Sequence, residues 1–430
     1  MHNSTFFTGY FVFLDKAADS CYSEKKRDWK CSALMKALLH KDKWTIVVLL
    51  AAVIIFIAAR IWAAPSSDEN IGNEAAEFAE YDTGTVLDIL SDSTEADETA
   101  DGAYRGDQLM LVEMTSGRYE GETLQVYNYV GPLYGAPLKV GDSAVLIVST
   151  YADGSHNATV YEYNRALALA AVVALFIIAT VLVGGKTGAK SLLGLIITLI
   201  CLFWLLLPML MKGLPTLLTV FLICAYVAIV SFTILGGVSK KTVCASLATI
   251  CGIAIALLFG LAAQGIARID GLRLADVEPL LQLRQTGTPI GLRYLLVGGI
   301  VISALGAVMD VAMSIASALN EIHVVDPKLG PKDLFKSGMN IGRDMVGTMT
   351  NTLILAFIGS SFVVVIYLYS IGLQPYQLLS SSYLAIEVIS GISSSIGVIL
   401  SVPITALVSA YTYTIYGKKT LCNKGKSPSQ

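Results

Sequence analysis

"LLVGGIVISALGAVMDVAMSIASALNE", Leu295 to Glu321, is an apolar run that carries a carboxylate, Asp310, near its middle and ends on a second, Glu321. A helix crosses the hydrocarbon of a bilayer in roughly 20 residues, rising about 1.5 Å at each, and this run is long enough to do so. Seven further runs share its character: Trp44 to Ile61, Arg165 to Val183, Ser191 to Met211, Leu214 to Leu235, Val243 to Ala263, Met345 to Ile371 and Tyr383 to Ile415. The whole chain of 430 residues is 54% hydrophobic and 15% charged, a balance foreign to soluble domains of this length. The expected fold is an all-α polytopic membrane protein with about eight transmembrane helices.

Orientation follows from Lys and Arg, which gather in short cytoplasmic loops. A basic leader precedes the first run. Lys186 and Lys190, then Lys240 and Lys241, then Lys328, Lys332, Lys336 and Arg343, then Lys418, Lys419, Lys424 and Lys426 fall after alternate runs. All share one side if both termini are cytoplasmic. The loop Gln264 to Tyr294 is mixed, with four Arg against Asp270, Asp276 and Glu278, and lies on the other side. Expected boundaries are a leader at 1–43, an anchor at 44–64, an extracytoplasmic segment at 65–164, a seven-helix bundle at 165–415 and a tail at 416–430. Although "IWAAP" has the look of a cleavage site, the leader is long for a secretory signal, so the first run reads as an uncleaved anchor.

Residues 65–164 hold 19 of the 33 acidic side chains and only Arg105, Arg118 and Lys139 as cations. "STEADETADG", Ser93 to Gly102, has little to bury and reads as mobile. Alternating apolar runs begin at Thr83, Leu109, Glu122, Ser143 and Asn157, separated by turn signals such as "GPLYGAPLKVGD" and "ADGSH". They predict about five strands, a small β-barrel or β-sandwich without room for a deep catalytic cleft.

The four His are scattered, no CxxC pair occurs, and none of the seven Cys lies in the external segment, so neither a metal site nor a disulfide framework is expected. "GGKTGAK" contains a GKT, but Thr180 stands where a phosphate loop needs its first Gly. HExxH and GxSxG are absent, and Ala307, Val308 and Met309 precede Asp310 where an intramembrane aspartyl protease needs a GxGD context. No enzymatic activity, cofactor or nucleic-acid partner is expected.

The remaining signal is polar. Gly299, Ser303, Gly306, Asp310, Ser314, Ser317 and Glu321 recur at helical spacing and share one face. Glu387, Ser390, Ser394, Gly397, Ser401 and Thr405 make a second stripe, and Asp344, Thr348 and Asn351 a third. If the runs bearing Asp310 and Asn351 pair antiparallel, the two residues reach similar depth. A carboxylate in hydrocarbon costs on the order of 3 kcal/mol, so Asp310 is expected to face the bundle interior, paired or protonated. It handles an ion or proton, or it hydrogen-bonds two helices together. Small residues such as Gly299, Gly306 and Gly397 let helices approach closely.

"SALGAVMDVAMSIASALNE" and "DLFKSGMNIGRDMVGTMTNTLILAFIGSS", with "SGRYEGETLQVYNYVGPLYGAPLKVGD" and "EVISGISSSIGVILSVPITALVSA", resemble the YibE/F family of bacterial multipass proteins, from about Thr83 to Ala410. The resemblance implies a bacterial plasma-membrane protein and brings no substrate with it. The layout of the last three runs is also similar to SecD/SecF and RND-type exporters, in which a carboxylate at this position belongs to a proton pathway. Those exporters pair two homologous halves, which implies a homo-oligomer or a partner membrane subunit here. The expected function is a proton- or cation-coupled secondary transporter or export factor. Asp310 would titrate, Asn351, Thr348, Ser303 and Ser314 would line its site, and Glu387, Glu321 and Asp344 would extend the pathway. The alternative is a scaffold or envelope sensor that presents its external domain to a partner and moves nothing.

Overall fold

The computed structural model describes residues 43–63, 79–150, 156–274 and 277–424. The basic leader before Lys43, the acidic opening of the external segment, most of the "ADGSH" turn and the end of the tail lie outside them.

Among the described residues, six strands follow the helix α1 (Lys43–Ala63): β1 (Ala79–Asp92), β2 (Glu95–Asp97), β3 (Ala103–Met114), β4 (Thr123–Val130), β5 (Ser143–Thr150) and β6 (His156–Tyr163). Five of them close on themselves. Antiparallel pairs β1 with β3, β3 with β4, β5 with β6 and β1 with β5 are completed by a parallel pair, β4 with β6. The result is a small five-stranded Greek-key barrel of the OB type, which settles the choice between barrel and sandwich. Alternation along β4 puts Leu124, Val126, Asn128 and Val130 inward, and Met110, Val112, Leu146 and Val148 meet them in the core.

Two polar side chains also point inward. Gln108 donates to Asp92 Oδ2 at 2.9 Å and accepts at Oε1 from Asn128 Nδ2 and from the Leu138 amide, both at 2.9 Å. Asn128 also donates to the Ala136 carbonyl at 3.0 Å. The two amides thereby tie the β4–β5 loop across one end of the barrel, with Leu138 buried as a plug.

The acidic Ser93–Gly102 stretch departs from the mobile reading. β2 pairs with the start of β3, and Asp97 caps a 3₁₀ turn by accepting from the Thr99 amide. Arg105 reaches Asp97 at 3.0 Å, and the hydrogen bonds from Thr99 hold the Asp97 carboxyl below its ordinary range. Local side-chain bonds therefore order a segment whose composition offers no core.

The helical part comprises α2 (Ala166–Cys201), a π-helical turn at Leu202–Leu206, α3 (Leu207–Met211), α4 (Thr216–Gly236), α5 (Lys240–Ala267), α6 (Glu278–Gln285), α7 (Leu295–Val325), α8 (Pro331–Ser360), α9 (Phe362–Ser370), α10 (Pro375–Leu379) and α11 (Ser382–Lys424). Six helices among the described residues are long and apolar enough to cross a membrane, or seven if the bent pair α8 and α9 is one span.

Two breaks explain the difference from the eight predicted runs. Gly185 leaves helical geometry inside α2, at φ 54 and ψ −135. A Cβ on Gly188 would lie 2.4 Å from the Thr180 carbonyl oxygen, whereas eight residues of continuous helix rise about 12 Å. The chain therefore turns sharply at Gly185, and its two arms correspond to two predicted runs. The second break is at Ser361, where α8 and α9 diverge by 60°. Gly359, Ser360 and Ser361 meet there, and Ser360 Oγ bonds back to the Phe357 carbonyl, a combination that bends helices.

α11 is the hub of the bundle. It lies between α5, α7 and α8, and Phe232 from α4 joins their shared core. α1 runs antiparallel along α4: Thr45 Oγ1 accepts from the Val238 amide, and Tyr226 donates to the Ala52 carbonyl at 2.8 Å.

Candidate functional site

Close helix approach sets the site's frame. Gly252 on α5 and Gly397 on α11 face each other; a Cβ on Gly397 would lie 2.8 Å from Ala256 Cβ and 3.2 Å from the Gly252 carbonyl oxygen. On α8, Gly338 and Gly342 receive Ala406 and Val402, and a Cβ on Gly342 would stand 2.2 Å from Val402 Cγ1. "GMNIG" and "GIAIA" both carry the small-x-x-x-small spacing that permits such contacts, a signal present in the sequence that the polar reading of α8 passed over.

The predicted polar residues divide into two groups. The α11 stripe is interior: Ser390, Ser394, Ser401 and Thr405 are buried, as are Ser393 and Ser395 beside them. Ser303 of α7 joins this group through a 2.9 Å hydrogen bond between its Oγ and Ser394 Oγ, and it also donates to the Ile300 carbonyl. Ser401 and Thr405 bond back to helix carbonyls. The hydroxyls of Ser393, Ser395 and Thr249 are buried with no hydrogen-bond partner among the described residues. Glu387, at the start of the stripe, is half-buried.

Asp310 belongs to the other group. With Gly299, Gly306, Ser314 and Glu321 it lies on an exposed face of α7, not in the bundle interior where its charge predicts it. The reason is the rest of the helix: Val308, Val311, Ala312, Ile315 and Leu319 occupy the opposite side and fill the core. Nothing among the described residues comes within 4 Å of a Cβ built on Gly299 or Gly306, so these two glycines serve no helix contact with any described residue, in contrast to Gly397. Asp310 forms no hydrogen bond or ion pair among the described residues.

α8 carries exposed polar residues of its own. Gly338 packs on Leu319 and Gly342 on Ile315, an antiparallel register that, extended, sets Asp310 near Gly347 and Thr348 and Asn351 near Gly306. The depths of Asp310 and Asn351 thus agree to about one helical turn. Asp344, Thr348 and Asn351 are all exposed, and Thr348 Oγ1 donates to the Met345 carbonyl at 3.1 Å. Asp310 and the polar residues of α8 are thus each exposed and at similar depth, and Ser303 bridges to the interior stripe. Among the described residues no three His, Cys, Asp or Glu side chains converge to hold a metal ion.

These features define a class of protein: a helical bundle whose long apolar helices fit a membrane, preceded by a small closed β-barrel. The sequence profile described as YibE/F-like protein matches residues 172–415, more than half of the chain and nearly all of the bundle, with Asp310 inside the match and the barrel outside it. The chain belongs to the YibE/F family. No curated protein and no solved structure matches it.

Proposed function

We propose that this protein is a proton- or cation-coupled secondary transporter or export factor of a bacterial plasma membrane, not an enzyme, with Asp310 as the titrating group. In this reading both termini are cytoplasmic and the barrel is extracytoplasmic. The observation that carries it is a carboxylate with no partner among the described residues, within a helix long and apolar enough to cross a bilayer and at the depth of polar residues on a second helix. A charge exposed there is costly in lipid, so it has to be neutralised or covered. The outward direction of the face supports an assembly in which a second copy or a partner membrane subunit covers it. The buried, unpartnered hydroxyls of α11 supply polar groups that an ion or water could engage inside the bundle.

The test is acidification measured with a trapped pH dye in proteoliposomes under an imposed gradient. Asp310→Asn should keep folding and abundance and remove the proton-dependent signal, while Asp310→Glu keeps part of it. A wild-type signal from Asp310→Asn would overturn the reading.

A partner-presenting scaffold is the second reading, favoured by the barrel's exposed aromatic side chains. Tyr127 and Tyr129 stack with ring centres 6.2 Å apart, and Tyr81 meets Tyr161 edge-on at 5.3 Å. Deleting Thr83 to Tyr163 would abolish a scaffold's function, whereas a transporter would retain substrate-independent ion leak.

A further inference from the structure

We propose that the end of the barrel from which α2 departs is seated in the lipid headgroup layer, with the β4–β5 loop as its anchor. This rests on the membrane placement of α2 given above.

Chain geometry brings the loop to the bilayer. Only Asn164 and Arg165 separate β6 from α2, a reach of about 7 Å. That joint has no slack: the Asn164 amide donates to the Ser143 carbonyl at 2.9 Å, its Nδ2 to Ser143 Oγ at 3.1 Å, and its Oδ1 accepts from the first amide of α2. α2 is apolar and exposed from its first turn, at Leu167 and Leu169. β4 runs parallel to β6, so the loop leaving β4 starts at this same end. It returns there too, because Ala144 at the start of β5 pairs with Tyr163. The loop therefore lies beside the point where the chain enters hydrocarbon.

The loop's composition and stiffness fit that position. Leu133 is 97% exposed, with Tyr134 and Val140 exposed near it. A frayed loop would explain such exposure, but this one is held by the buried Leu138, by its hydrogen bonds to Gln108 and Asn128, and by paired backbone bonds between Gly131 and Tyr134. A rigid loop thus displays an apolar tip. Tyr163 and Lys139 flank it, and aromatic rings with Lys or Arg beside them mark the interface between hydrocarbon and water. The carboxylates of the nearby β2 hairpin disfavour anionic headgroups, so the surface that fits is zwitterionic.

A photoreactive benzophenone amino acid placed at position 133 of the full chain, in phosphatidylcholine vesicles, tests this by mass spectrometry of its adducts. The side chain at position 133 is almost wholly exposed, so the replacement leaves the fold alone, and position 140 is an independent second probe. Position 175 in α2 reports membrane insertion, and position 120, in the β3–β4 turn at the opposite end of the barrel, should give no lipid adduct. Lipid adducts at 133 and 140 are expected. Lipid adducts at 175 with only protein adducts, or none, at 133 and 140 would overturn the seating while leaving α2 in the membrane. No lipid adduct at 175 would remove the membrane placement and the proposal together.

Discussion

Gln108 and Asn128 sit on strands whose alternation marks them as interior, yet both are amides. Their bonds close a circuit from Asp92 through Gln108 to Asn128, Ala136 and Leu138. Replacing Gln108 with Leu leaves the Leu138 amide and an Asn128 donor without an acceptor, and an orphaned buried group costs about 1–3 kcal/mol. Gln108→Leu is therefore expected to speed hydrogen exchange in β3, β4 and the β4–β5 loop of the full chain, with the helices unaffected. Unchanged exchange would show that the circuit is dispensable. The inward alternation could be read from "ETLQVYNYV", but not which loop atoms the amides would meet, because those come from residues up to 30 positions away.

At the scale of elements, glycine spacing decides how the helices pack. α11 touches three long helices, and it reaches α5 and α8 closely because Gly252, Gly397, Gly338 and Gly342 leave room for its backbone or side chains. Gly342→Leu would drive a side chain into Val402, and overpacking of this kind costs about 1–3 kcal/mol or more. Thermal unfolding in detergent should show a lower midpoint for Gly342→Leu and little change for Gly306→Leu, whose face is open. Equal midpoints would discard this account of the α8–α11 contact. The eight apolar runs were legible from hydropathy. The turn at Gly185 lay between two runs and agreed with them, whereas the bend at Ser361 fell inside a continuous run, because hydropathy does not register a change of direction.

For the whole molecule, the consequential fact is the direction of the Asp310 face. In one chain it looks outward, with Gly299 and Gly306 uncovered, and the interior is taken by the serine stripe of α11. Association of copies through this face would bury the carboxylate. Light scattering of the purified protein should then give a mass above one chain, and Gly306→Trp should shift it towards the monomer. A monomeric wild type would leave a different membrane subunit as the cover.

The sequence by itself determined the apolar runs, the five strands of the barrel and the family, because periodicity and composition act along the chain; that the eight runs form six long apolar helices among the described residues, or seven if the bent pair is one span, came from the structure. It misread the acidic hairpin, whose order comes from Asp97, Thr99 and Arg105 acting together. It also put Asp310 inside the bundle, since the cost of a charge in hydrocarbon requires cover without saying who provides it. Only the tertiary structure decided that Val308, Val311, Ile315 and Leu319 claim the interior and turn Asp310 outward. A helix has one side for the core, and packing volume across α5, α8 and α11 chooses which side that is.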